Sequence, residues 1–94
     1  MEREQEIKIM DAAVVIFGFD KQIDMLIEEC SELIVECSKL KRGRINHIKE
    51  ELADASIMIE QISRFFGEDE VLQIKEQKLL RLKDRIDASI DKWQ

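Results

Sequence analysis

Proline and tyrosine are both missing from this 94-residue chain, and glycine occurs three times, tryptophan and histidine once each. Without proline, and with many Glu, Lys, Ile and Leu residues, long helices meet few internal breakers, so the composition favours an all-α fold. The longest uninterrupted apolar run, Ala12 to Phe17, is far too short for a membrane span. The opening Met1-Glu2-Arg3-Glu4 is charged and has no leader pattern, so a cytoplasmic location is expected. Cys30 and Cys37 stand seven positions apart, roughly 10 Å along a helix, too far for a disulfide, and read as small apolar residues of a reduced interior. A formal charge of −6 with no extended basic block argues against nucleic acid as the default partner.

What is present is periodic. Gly18, Gly43 and Gly67 divide residues 1–94, read as a single domain, into four segments that each have helical length. The first, Glu2 to Phe17, carries Ile7, Met10, Val14 and Phe17 on one side. Ala12, Val15 and Ile16 make its C-terminal half apolar nearly all round, which calls for burial on more than one side, with a subunit interface as the second neighbour. Asp20 is positioned to cap a second helix reaching about Lys41, with Ile23, Leu26, Ile27, Cys30, Leu33, Ile34 and Cys37 at helical spacing. Asn46 is positioned to cap a third helix running to Phe66, in which Glu60, Lys49 and Arg64 read as solvated residues. The fourth begins after Gly67 and places Leu72, Leu79, Leu82, Ile86, Ile90 and Trp93 in a near-heptad stripe. At this length a single core is small, and self-association would enlarge it. The expected architecture is a four-helix bundle-like protomer assembling into a dimer or dimer of dimers.

Two acidic pairs stand out against this pattern. Glu29 and Glu32 lie three apart in Glu28-Glu29-Cys30-Ser31-Glu32, and Glu51 and Asp54 three apart in Glu51-Leu52-Ala53-Asp54. Residues at that spacing share a helix face, so two facing helices would bring four carboxylates together. Glu51 falls only ~50° from the centre of an apolar stripe formed by Ile48, Leu52, Ala55, Ile59, Ile62 and Phe66. An acid there needs a cation, a hydrogen-bonding group or a proton. Four clustered carboxylates repel one another, and an all-oxygen set of this hardness selects Mg²⁺ or Mn²⁺ over Zn²⁺. Mg²⁺ commonly takes substrate phosphates as further ligands, which points to phosphate chemistry. Di-iron carboxylate bundles need two Glu-x-x-His pairs. The single His47, with Arg44 three positions before it, excludes that class, and His47 reads as a first-turn surface residue.

Leu26-Ile27-Glu28-Glu29-Cys30-Ser31-Glu32-Leu33, with Glu51-Leu52-Ala53-Asp54 beginning eighteen positions after Leu33, resembles the paired motif of the MazG-like nucleoside triphosphate pyrophosphohydrolases. Their all-α group also holds phosphoribosyl-ATP pyrophosphohydrolases and dimeric dUTPases. The resemblance implies that Glu29, Glu32, Glu51 and Asp54 hold Mg²⁺. It also implies cleavage of a (deoxy)nucleoside triphosphate between the α and β phosphates, giving the monophosphate and pyrophosphate. Glu28 is the matching candidate to accept the proton of the attacking water. Lys78, Arg81 and Arg85 resemble a basic pattern on the last helix of small members and would meet the β and γ phosphates; their alternative role is ion pairing with Glu76 and Asp84. The basic break from Lys39 to Arg44 reads either as charge complementing a helix C-terminus or as a phosphate-contacting loop. Relatives often grip base and sugar with tyrosine, tryptophan or asparagine; this chain has only Trp93 and no tyrosine, so the resemblance names no base. The members are dimers or dimers of dimers, with sites near subunit interfaces. Phosphoribosyl-ATP is the nearest alternative substrate. A helical interaction module with solvated acids is the non-catalytic alternative.

Overall fold

The computed structural model describes residues 1–93, with side chains described through Ile90. Four helices follow one another: α1 (Arg3–Phe17), α2 (Phe19–Lys41), α3 (Ile48–Phe66) and α4 (Glu68–Trp93). The all-α expectation holds, and each of the three glycines interrupts the chain with a positive φ. The requirement is clearest at Gly43. With φ 67° it lets its own N–H reach the Leu40 carbonyl (3.1 Å) while the Arg44 N–H reaches that of Lys39 (2.9 Å). That is the paired bonding of a Schellman motif, and it ends α2 at Lys41 with Arg42 as the C-cap. The basic break is therefore a helix terminus with Lys39 and Lys41 in the last turn.

The caps depart from expectation. Gly18 occupies the N-cap position of α2, and Asp20 sits inside the first turn without bonding to an N-terminal amide. Because Gly18 makes the whole α1–α2 turn in one residue, α2 starts before Asp20 can cap it. At α3 the backbone N-cap is His47, yet the Asn46 side chain still accepts from the Ile48 N–H (3.2 Å), as its type predicts.

α2 and α3 run antiparallel and form the main contact, with α1 against both. Among the described residues Met10, Ala55, Met58 and Ile62 are the buried apolar side chains. They are joined by a polar pair: Gln61 Nε2 donates to Gln22 Oε1 across the α2–α3 seam, and both residues are buried. Exposure of Val15, Ile16 and Phe17 leaves the end of α1 uncovered within the protomer. Phe19, Phe65 and Phe66 cluster nearby, with ring centroids 4.3 to 5.6 Å apart.

Ion pairs link the helix ends. Arg64 donates through Nε and Nη2 to both Asp11 oxygens (2.9 Å each) and through Nη1 to Glu68 (2.7 Å), tying α1, α3 and the start of α4 together. Arg3 pairs with Glu6 and Glu60. Arg64 and Glu60 are thus partly buried ion-pair residues, contrary to the solvated role read from the sequence.

α4 packs chiefly on α3, with Glu68 also 3.9 Å from Arg3 of α1, and its residues from Leu72 to Ile90 are exposed. Leu72, Leu79, Leu82, Ile86 and Ile90 all remain uncovered; the Trp93 indole at the end of that stripe lies outside the described side chains. The four helices consequently do not close a bundle within one protomer. The radius of gyration is 16.9 Å, against about 12 Å for a compact domain of this length.

Candidate metal centre on the α2–α3 seam

Helical spacing of seven explains the seam. Gln22, Glu29 and Glu36 recur at that interval on α2, and Gln61 stands seven after Asp54 on α3. Two heptad-spaced polar rows therefore face each other where two apolar rows were expected, and they meet at three levels. At the first level, Gln22 and Gln61 satisfy one another. At the last, Glu36 is buried and accepts from the His47 backbone N–H (3.1 Å) and from Lys39 Nζ (3.1 Å). These bonds hold its carboxyl below the ordinary range, the His47 amide contributing most. Glu36 thereby pins the start of α3 to the end of α2.

The middle level carries the expected carboxylates. Glu29, Glu51 and Asp54 each place one oxygen within 4.8 Å of the others'. Glu29 and Glu51 are half-buried and Asp54 is exposed. Oε2 of Glu29 and Oε2 of Glu51 are shielded from solvent and have no hydrogen-bond partner. A third shielded carboxylate oxygen, Glu60 Oε1, instead faces the Arg3 guanidinium, which supplies its counter-charge. Loss of solvent pushes Glu51 up to about 7, reinforced by the charges of Glu32, Glu29 and Asp54 and by a hydrogen bond with Glu32. Loss of solvent raises Glu29 as well, with Glu32 and Asp54 adding to the effect and a hydrogen bond from Glu51 opposing it. Two buried carboxylate oxygens without donors, beside further acids, form an all-oxygen donor set that fits a hard divalent cation.

The remaining candidates are placed less closely. Glu32 is exposed and outside the converging three, although its charge acts on Glu51 more than those of Glu29 and Asp54 do. Glu28 is exposed one position before Glu29, ~100° round the helix. Lys78, Arg81 and Arg85 are exposed on α4; Lys78 and Arg85 border a groove with Leu79 and Leu82 of the same helix, and α4 makes no contact with α2. Among the described residues of α4 the ion pair that forms is Lys83 with Asp87 (2.9 Å), not one with Glu76 or Asp84. His47 contributes its backbone, as an exposed N-cap residue.

Glu36, Gln22 and Gln61 were not expected at the seam. The seven-residue interval linking Gln22, Glu29 and Glu36 was the available signal. Both cysteines are free, but Cys30 is half-buried and Cys37 exposed, so neither belongs to an interior. Among the described residues no helix is long and apolar enough to cross a membrane. No protein-family model matches the chain, and comparison with curated proteins and with solved structures returns no match.

Proposed function

We propose that this chain is a Mg²⁺-dependent nucleotide pyrophosphohydrolase that converts a (deoxy)nucleoside triphosphate to the monophosphate and pyrophosphate. The observation that carries this reading is the pair of shielded, donorless oxygens on Glu29 and Glu51 beside Asp54. The MazG-like motif resemblance supplies the reaction. Glu29, Glu51 and Asp54 would hold the metal, with Glu32 joining them by a side-chain rotation available to an exposed residue. Mn²⁺ is the natural substitute. When bound, the ion supplies charge neutralisation for phosphate oxygens and acidifies water. Glu28, exposed beside Glu29, is assigned to accept the water's proton. Lys78, Arg81 and Arg85 are assigned to the outer phosphates. The protein would work as a homo-oligomer.

The test is pyrophosphate release from ribo- and deoxyribonucleoside triphosphates and from phosphoribosyl-ATP, each with Mg²⁺ and with EDTA. Release that needs Mg²⁺ is expected, and the best substrate distinguishes the two hydrolase readings. No release from folded, Mg²⁺-loaded protein would overturn both. It would favour the interaction-module reading, whose one specific support is the uncovered apolar stripe of α4.

A further inference from the structure

The acidic middle of the seam is bracketed by two contacts of a different kind. Gln22 and Glu36 stand seven residues to either side of Glu29 on α2, and His47 and Gln61 seven to either side of Asp54 on α3, so each contact lies ~10 Å along the seam from the cluster. At one end Gln61 donates to Gln22. At the other, Glu36 Oε2 accepts from the His47 N–H (3.1 Å) and Glu36 Oε1 from Lys39 Nζ (3.1 Å). Glu36 is 8% exposed and has its own counter-cation, so it adds no unanswered charge to the neighbouring acids.

The His47 end bears directly on Glu51. The N–H of His47 is held by Glu36, and its carbonyl accepts from the Glu51 N–H (3.1 Å), the bond that closes the first turn of α3. Glu51 therefore stands one turn from the anchored peptide. The like charges of Glu29, Glu32, Glu51 and Asp54 push that turn away from α2. The connection between the helices offers little resistance: residues 42–45 are exposed, and the amides of Arg42, Gly43 and Arg44 bond back to the end of α2 without reaching α3. The Glu36–His47 bond spans that connection.

We infer that Glu36 is a positioning residue for the carboxylate cluster: by holding the His47 N–H it fixes the first turn of α3 at the distance from α2 at which Glu51 and Asp54 meet Glu29. This role rests on reading the cluster as a divalent-cation site, and it supplies the frame that keeps mutually repelling ligands converged before an ion binds. The acceptor oxygen matters, not the charge. Glutamine at position 36 keeps a carbonyl oxygen for the His47 amide and gives up only the pair with Lys39, whose side chain is 41% exposed. Methionine keeps the stem and its packing but offers the amide only a weak sulfur acceptor.

Mn²⁺ binding to the full chain, followed by the EPR signal of the free ion, tests this role alongside urea unfolding. Glu36→Met should weaken Mn²⁺ binding about 10-fold, the lower end for losing a group that supports metal ligands, and Glu36→Gln should stay within about 3-fold of wild type. Asp11→Ala breaks the α1–α3 ion pair with Arg64, away from the cluster, and should lower stability without changing Mn²⁺ affinity. Coupling is reciprocal, so saturating Mg²⁺ should slow hydrogen exchange of the wild-type His47 amide by about 10-fold and leave the Val71 amide, in the first turn of α4, unchanged. That exchange measurement decides if Glu36→Met fails to fold. Wild-type affinity in Glu36→Met, equal losses in Glu36→Met and Glu36→Gln, an Asp11→Ala loss as large as that of Glu36→Met, or a His47 amide indifferent to Mg²⁺ would overturn the positioning role while the metal centre stands. No Mn²⁺ binding by the wild type would instead overturn the metal centre, and the role with it.

Discussion

Glu36 and Glu51 face the same α2–α3 seam, and their environments are opposite. Glu36 is the more buried, yet each of its oxygens has a donor, from His47 and from Lys39, and its carboxyl is held below the ordinary range. Glu51 keeps a shielded oxygen with no donor, in a neighbourhood of other acids, and is pushed up to about 7. Burial of a carboxylate is therefore not what marks a site. An unanswered carboxylate is, because folding has removed water without supplying a replacement, and a cation is what would complete the arrangement.

The contrast breaks most visibly in activity. Replacing Glu51 by Ala should reduce Mg²⁺-dependent pyrophosphate release by more than the ~10–100-fold typical of losing an outer-shell partner. Glu36→Gln should stay within a few-fold of the parent. Equal rates for Glu51→Ala and wild type would remove the carboxylate cluster from the mechanism.

Stability should separate the satisfied and unsatisfied levels next. Gln61→Ala strands the buried Gln22 amide and should cost about 1–3 kcal/mol in urea unfolding. Replacing both glutamines with Met should recover most of that loss, since neither polar group is then left unpaired. Glu51→Gln should instead raise the melting temperature of metal-free protein at pH 8, by removing one of the mutually repelling charges. A fall in that temperature would mean the Glu51 charge has a partner in the folded chain.

Acid should move the two glutamates in opposite directions. Glu51 holds its proton to about 7 in the folded chain but releases it around 4.5 when unfolded. Between those values the folded state binds more protons, so metal-free stability contributed by Glu51 falls as pH rises through the window and is lost above it. Glu36, held below its ordinary 4.5, contributes stability that is present above that value and lost as pH falls through the lowered one. Melting curves from pH 4 to 8 should therefore show a decline toward pH 8 that Glu51→Gln flattens and Glu36→Gln leaves in place. This is the smallest expected effect.

The all-α class and the glycine breaks were legible because helix periodicity and positive-φ requirements are local. The convergence of Glu29, Glu51 and Asp54 was legible because i, i+3 spacing fixes which residues share a face. The sequence does not say which face meets which neighbour. Counting apolar residues turned Ile27, Ile34 and Leu52 inward, whereas the pairing of Gln22 with Gln61 and of Glu36 with His47 turns the polar row inward and leaves part of the apolar row exposed. The Arg64–Asp11 pair joins residues 53 positions apart, and no local pattern encodes it. The apolar stripe of α4 suits packing either within the bundle or against another subunit, and periodicity alone does not choose between them; in the protomer it is left exposed.

The central claim is that the middle of the seam is completed by a divalent cation. It is tested most directly by melting the wild type, Glu51→Ala and Glu36→Gln at pH 8, each against millimolar Mg²⁺ and against NaCl of matched ionic strength. The account predicts that Mg²⁺ raises the midpoint of the wild type and of Glu36→Gln well beyond the salt control, and that Glu51→Ala responds to both salts alike. A wild-type midpoint that moves no further with Mg²⁺ than with NaCl would contradict it.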